Sequence, residues 1–214
     1  MTIQAVFFDV GGVLVDETRI YAEWAAWLGV SSLTFGAMLG AVIQRGEHHL
    51  RTFELLRPGF DLAAEEAARA AAGRPNLVLP TDFYPDVRPA MDALRAAGYR
   101  LGIAGNQPAT IERVMAEAAL PAGVIASSES WGVEKPDPAF FTRLAQAAGL
   151  LPSQIAYVGD RLDNDVLPAN AAGMVSVFIP RGPWGAIHAH WTHAAQARLQ
   201  VSTLTELPAV LAAL

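Results

Sequence analysis

The 214-residue sequence has no cysteine and a single lysine, Lys135. The first absence removes disulfides, thiolate metal sites and cysteine nucleophiles together. The second leaves no basic arm: the fifteen Lys and Arg residues are scattered and the net charge is −6. With a sequence pI near 5.3, the electrostatic footprint of a nucleic-acid binder is missing. Long apolar runs are absent too, since no uninterrupted stretch approaches the ~20 residues that cross a bilayer. Residues 1–9 lack the basic flank and apolar run of a secretory leader. The expectation is a cytoplasmic protein with neither membrane nor nucleic acid as partner. Charged residues make up only 17% of the chain against 52% hydrophobic, which excludes a disordered chain and supplies ample material for a core. The length suits one ordinary domain with an elaboration, or two small ones.

What is present alternates. Residues 3–8 (Ile-Gln-Ala-Val-Phe-Phe) form a short β-branched and aromatic run that ends at Asp9 and the pair Gly11 and Gly12. A run apolar on both sides of the pleat suits a strand buried on both faces. Similar runs recur at 99–104, 123–127, 154–158 and 174–179, with helical patterns at 86–97, 109–119, 137–148 and 163–172 between them. Several of these have Pro in the first turn and Gly past the end, the punctuation of helix boundaries. Alternating strands and helices predict βαβ crossovers and a parallel sheet. Residues 17–82 break the rhythm. Helical stretches at 17–28, 33–46 and 61–72 carry no convincing strand, and Gly46 to Gly59 is the least regular part. The segment reads as a helical insertion after the first strand. Trp24, Trp27 and Phe35 in it are expected to form its core.

In a parallel sheet, ligands bind beyond the carboxyl ends of the strands. Four polar clusters fall there: Asp9 after the first run, Gly105 and Asn106 after the second, Lys135 before the helix at 137, and Gly159 to Asp165 after the run at 154–158. Each alone is an ordinary cap or solvated group. Together they supply what phosphoryl transfer needs. A carboxylate can attack phosphorus, hard oxygen ligands on adjacent loops suit Mg²⁺, an ammonium offsets charge on the transferring oxygens, and loop N–H groups cradle the rest.

Residues 8–14 (Phe-Asp-Val-Gly-Gly-Val-Leu), 101–106 (Leu-Gly-Ile-Ala-Gly-Asn), 132–138 (Gly-Val-Glu-Lys-Pro-Asp-Pro) and 158–165 (Val-Gly-Asp-Arg-Leu-Asp-Asn-Asp) resemble, in order, the four motifs of the haloacid dehalogenase superfamily. The lead-in at 85–100 and Ala-Ala-Gly-Met at 171–174 extend the resemblance, which spans 1–16 and roughly 83–200. It implies a Rossmann-like α/β core, residues 1–16 and 83–214, with a helical cap inserted at 17–82. It implies a hydrolase of a small phosphorylated metabolite that works through an aspartyl phosphate on Asp9. Lys135 matches the phosphate-orienting lysine, and Gly11, Gly12, Gly105 and Asn106 belong to the phosphate-binding loops. Asp9, the Gly11 carbonyl and Asp160 match magnesium ligands; Asp165 matches a further ligand or an outer orienter.

Two positions depart from the pattern. The phosphatase branch carries a second Asp, the general acid, where this chain has Gly11; losing such a group typically costs ~10²–10⁴ in rate. The second motif usually ends in a hydroxyl residue, here Gly105, and a hydrogen bond to a charged group is worth about 1.5–3 kcal/mol. Asp16, Glu17, Glu47, His48 and His49 are candidate replacements for the acid. A protein that binds a phosphorylated ligand without efficient turnover is the alternative. A phosphonatase is disfavoured because it needs a cap lysine, and a dehalogenase because the acidic cluster is intact. His188, His190 and His193 read as a polar surface segment rather than a metal site, and residues 181–185 as a turn near the site.

Overall fold

A computed structural model describes residues 2–214. Two compact units are present: the chain up to Asp16 together with Phe83–Leu214, and Glu17–Asp82. Among the described residues, no single helix is long and apolar enough to cross a membrane.

In the first unit, β1 (Ala5–Phe8) is buried at every position, as a run apolar on both faces requires. The chain returns from residues 17–82 into α5 (Val87–Ala96), β2 (Arg100–Gly105), α6 (Thr110–Glu117), β3 (Val124–Ser127), the short α7 (Ser128–Trp131) and α8 (Pro138–Ala148). Then follow β4 (Ile155–Gly159), a π-helical turn (Leu162–Val166), α9 (Leu167–Ala171), β5 (Val175–Phe178), α10 (Gly182–His188), the two-residue β6 (Leu199–Gln200) and α11 (Leu207–Ala212). The strands form one sheet in the order β3-β2-β1-β4-β5-β6, and every pairing is parallel. This is an α/β fold of the Rossmann-like kind. Phe7, Phe140, Phe141, Leu144 and Tyr157 fill one core cluster between sheet and helices. Helix α8 starts where the sequence predicts: the Asp137 carboxylate accepts the Ala139 N–H at 2.8 Å, Pro138 occupies the first turn, and Gly149 ends the helix in the left-handed region.

The second unit contains α1 (Thr18–Leu28), α2 (Ser32–Gln44), α3 (Leu50–Leu56) and α4 (Leu62–Ala71). Helix α3 lies in the stretch expected to be irregular. It has no side-chain cap, and its seven residues are stabilised through Phe53, which packs edge-on against Trp24 and Phe35 at 5.2 Å. Tertiary packing outweighs the missing local signal there. Trp24 and Phe35 are buried as expected. The buried Arg69 lays its guanidinium over the Trp24 ring at 4.2 Å and donates to Glu23 Oε2 and the Arg74 carbonyl, both at 3.1 Å.

Candidate active site

Because all strands are parallel, their carboxyl ends share one edge. The order of the sheet reverses beside β1, whose two neighbours are β2 and β4, and that crevice is where such sheets bind ligands. Asp9 leaves β1 there, its N–H still donating to the Val158 carbonyl of β4 at 3.0 Å. Asp160 leaves β4 beside it.

After Asp9 the chain folds into a tight turn. The Leu14 and Val15 N–H groups donate to the Val10 carbonyl at 2.8 and 2.9 Å, and Gly12 N–H donates to Val15 O at 2.9 Å. Gly12 has φ +65°, and a Cβ on it would lie 2.3 Å from Asp160 Oδ2. Only glycine lets the two acidic loops approach this closely. Gly11 bridges to Val15 within the same turn.

Gly105 reads in the sequence as a lost hydroxyl. In the structure a Cβ there would lie 2.2 Å from Asp9 Oδ1, so the glycine makes room for the carboxylate as it stands. Asn106, expected at the phosphate, uses both ends of its amide on Lys135: Nδ2 donates to the Lys135 carbonyl at 2.8 Å, and Oδ1 accepts the Lys135 N–H at 2.7 Å.

Lys135 is 2% exposed. Its Nζ lies 2.8 Å from Asp9 Oδ1 and 2.6 Å from Asp165 Oδ1. Burial opposes the ammonium, but the charges of Asp165 and Asp9 outweigh it and hold the pKa well above the usual lysine range. Asp165 is fully buried; its second oxygen accepts the Arg161 N–H at 3.0 Å. Burial raises its carboxyl, with Lys135 pulling the other way. Asp9, Asp160 and Asp165 each offer a carboxylate oxygen within 4.8 Å of the others. Three buried carboxylates against one ammonium make an electron-rich, hard-oxygen pocket, the donor chemistry that a divalent cation such as Mg²⁺ requires. Both Asp165 oxygens already have donors, Lys135 and the Arg161 N–H.

Thus Asp9, Gly12, Gly105, Lys135, Asp160 and Asp165 come together, with Asn106 one step behind Lys135. Of the candidate replacement acids, Glu47 pairs with Arg45 at 2.6 Å and the His48 Nδ1 accepts the Leu50 N–H, both within the helical unit.

The sequence reading missed His188. Expected on a polar surface, it is 1% exposed, stacks on Trp191 with ring centroids 4.0 Å apart, and its Nδ1 accepts the Leu162 N–H at 3.0 Å. Residues 181–185, read as a turn, belong to α10 and its cap, which carry His188 inward. Burial pushes the imidazole down to about 4. As pH falls, the unfolded chain takes up this proton near 6.5, before the folded one does. The stabilisation is therefore complete above pH 6.5 and lost by about pH 4, on the order of 3 kcal/mol in all. A His188→Gln variant keeps an acceptor but cannot charge. Its urea-unfolding free energy is expected to fall less steeply between pH 6.5 and 4 by that amount. Parallel curves for the two proteins would refute the assignment.

Comparison with known proteins places the chain in a family. A family model described as haloacid dehalogenase-like hydrolase matches residues 3–173. A glyceraldehyde 3-phosphate phosphatase of Methanopyrus kandleri is 32% identical over 85% of this chain and 86% of its own length. A phosphoglycolate phosphatase of Nitrosospira multiformis is 28% identical over 85% of each chain. The solved structure of a HAD phosphatase from Thermococcus onnurineus superposes with a TM-score of 0.62 at 23% identity, covering 98% of both chains. Dehalogenases share the fold as well, one with a TM-score of 0.71 at 19% identity over 99% of this chain and 98% of its own. With the family model spanning most of its length and a relative above 30% identity, this chain belongs to the haloacid dehalogenase-like hydrolases.

Proposed function

We propose that the protein is a Mg²⁺-dependent phosphatase of small phosphorylated metabolites. The observation that carries this is the contact of Asp9, at the sheet's switch point, with the buried Lys135 ammonium at 2.8 Å, beside the further carboxylates of Asp160 and Asp165. Asp9, Asp160 and the Gly11 carbonyl would hold the cation, which when bound neutralises phosphate oxygens against the surrounding carboxylates.

The chain's own residues then divide the work. An Asp9 oxygen attacks phosphorus, forming the acyl phosphate as the ester P–O bond breaks. The departing alkoxide takes its proton from water, because Gly11 has none to give. The hydroxide this leaves then attacks phosphorus, the bond to Asp9 breaks, and hydrogen phosphate and the free carboxylate are restored. Lys135 offsets charge on Asp9 and on the transferring oxygens. Asp165 orients Lys135 from behind, and Asn106 fixes its main chain. The helical unit, residues 17–82, acts as the cap that selects the substrate. The relatives' names point to two- and three-carbon phosphoesters as the first substrates to try.

Phosphate release from 2-phosphoglycolate, glyceraldehyde 3-phosphate, sugar phosphates, nucleotides, an acyl phosphate and an aryl phosphate, with and without Mg²⁺, tests the reading. Magnesium-dependent release from at least one small ester is the expected result. The bare Gly11 favours one other reading, a protein that binds phosphorylated ligands without efficient turnover. Activity confined to Gly11→Asp would establish that reading, and silence in both proteins would sink the phosphatase assignment.

A further inference from the structure

The family model ends at residue 173, yet the segment beyond it reaches both acidic loops. Arg181, the residue before α10, sends its guanidinium across the sheet edge to the turn that follows Asp9. Its Nε donates to the Gly12 carbonyl at 3.3 Å and its Nη2 to the Val13 carbonyl. Nη1 is anchored by both Asp86 oxygens at 2.9 Å, and Asp86 Oδ2 also accepts the Leu204 N–H at 2.9 Å. The flat face of the guanidinium lies over the Tyr84 ring at 3.9 Å. A planar fork held on its face and at one edge keeps few rotamers, so its remaining donors point in fixed directions.

The next residues touch the other loop. Gly182 has φ +68°, and a Cβ on it would lie 3.2 Å from Gly12 Cα and 3.7 Å from Asp160 Oδ2. Trp184 lies under the Arg161 guanidinium at 5.2 Å, and His188 accepts the Leu162 N–H. The turn after Asp9 satisfies its own N–H groups through the Val10 and Val15 carbonyls. The Gly12 and Val13 carbonyls are left to an outside donor, and Arg181 supplies it.

We propose that Arg181, anchored by Asp86, is a positioning residue that locks the Gly11–Val13 turn against the Asp160 loop and so fixes the spacing between the Gly11 carbonyl, Asp9 and Asp160. The proposal deepens the phosphatase reading and rests on it for the catalytic consequence. The consequence for cation binding is independent of turnover. Arg181 itself touches neither substrate nor cation; it acts through the main chain. Groups that hold the partners of a metal ligand commonly change affinity or activity ~10–100-fold when removed, and small displacements of reacting groups cost up to ~10² in rate.

The test uses the full chain with Arg181→Met, Arg181→Lys and Asp86→Asn. Mn²⁺ affinity is read by the electron paramagnetic resonance of the free ion, and kcat and KM are read with p-nitrophenyl phosphate below each variant's melting temperature. Arg181→Met is expected to weaken Mn²⁺ binding ~10-fold or more and to lower kcat ~10²-fold, with KM changed by less than about threefold. Arg181→Lys, which keeps the charge and loses the fork, should recover only part of both, and Asp86→Asn should fall between Arg181→Lys and the unaltered protein. If Arg181→Met does not melt cooperatively, the other two variants decide. Folded variants with Mn²⁺ affinity and kcat within about twofold of the unaltered protein would overturn the proposal, since a merely structural contact would lower the melting temperature alone. An unaltered protein that binds Mn²⁺ but turns over no phosphoester would end the phosphatase reading. The Arg181 assignment would then be judged on the Mn²⁺ affinities alone. Active protein with unaffected Arg181 variants would leave the reading standing and end the assignment.

Discussion

Asp9→Asn is expected to lower kcat/KM for the best phosphoester by at least ~10³-fold while leaving the melting temperature unchanged or raising it. The two halves of that expectation have one cause. Asp9 shares a pocket with Asp160 and Asp165, their oxygens within 4.8 Å, and like charges at that spacing repel strongly in a poorly solvated site. Neutralising one relieves the repulsion, and Lys135 keeps Asp165 as its partner at 2.6 Å. The amide fills the same space but is a poor nucleophile and a weaker ligand, so the chemistry is lost without loss of the fold. Thermal melting in chelator and a phosphate-release assay read the two halves separately. Retained turnover would remove Asp9 from the role of nucleophile. A large drop in melting temperature would show that the Asp9–Lys135 pair stabilises the fold more than the carboxylates strain it.

Lys135→Met should fail in the opposite manner, losing activity and stability together. The ammonium is the only cation among these carboxylates supplied by a lysine in the whole chain. Removing one member of a buried charge cluster costs about 3–5 kcal/mol, here because Asp9 and Asp165 lose the ammonium that offsets their charge. The sign of the pH response identifies this cause. Burial already raises the Asp165 carboxyl, and without Lys135 it rises further. An acid that holds its proton more tightly folded than unfolded makes the folded state bind more protons, so stability falls as pH rises through that window. Relative to the unaltered protein, the variant should therefore be less destabilised near pH 5 than near pH 7, and urea titrations of both proteins at the two values measure it. A variant equally destabilised at both would point to the lost ring contacts, since the ammonium also lies over the Tyr157 and Phe140 rings at 5.4 and 5.9 Å.

The parts of this molecule that were legible in the sequence are those where local chemistry and global placement agree. Apolar runs bounded by turn residues marked β1, β2 and β4, and the polar residue that ends each run is the one that reaches the site. Asp137 followed by Pro138 announces α8 because the cap and the restricted φ act within a few residues. The illegible parts depend on distant partners. Helix α3 has no capping side chain and is held by ring packing with Trp24 and Phe35. The helical pattern expected from 163 to 172 splits, because Leu162–Val166 adopts π-helical pairing and the α-helix begins only at Leu167. The glycine at 105 looks like a loss until the Asp9 carboxylate is seen occupying the space of a side chain. Asn106 carries the right polar atoms for phosphate, and only the fold shows both of them turned to Lys135. Residues 181–185 read as a turn near the site, but the role of Arg181 is not legible, because its partners Gly12 and Val13 lie near the other end of the chain.

The sheet order also dictates when the site can come into being. Ala5 of β1 pairs with Arg100 on one side and Ile155 on the other, so β1 precedes both of its neighbours in the chain and waits through the helical unit before the first of them exists. Pairing across such sequence distances is slow, because loop closure must precede any reward from contact. The helical unit between β1 and β2 is built from contacts among its own consecutive helices and can assemble during that wait. Synthesis thus leaves an apolar strand, Ala-Val-Phe-Phe, exposed longest and in need of protection from aggregation. Asp9 meets Asp160 and Asp165 only once β4 and the turn after it have been made, so partly made chains lack the assembled acidic cluster.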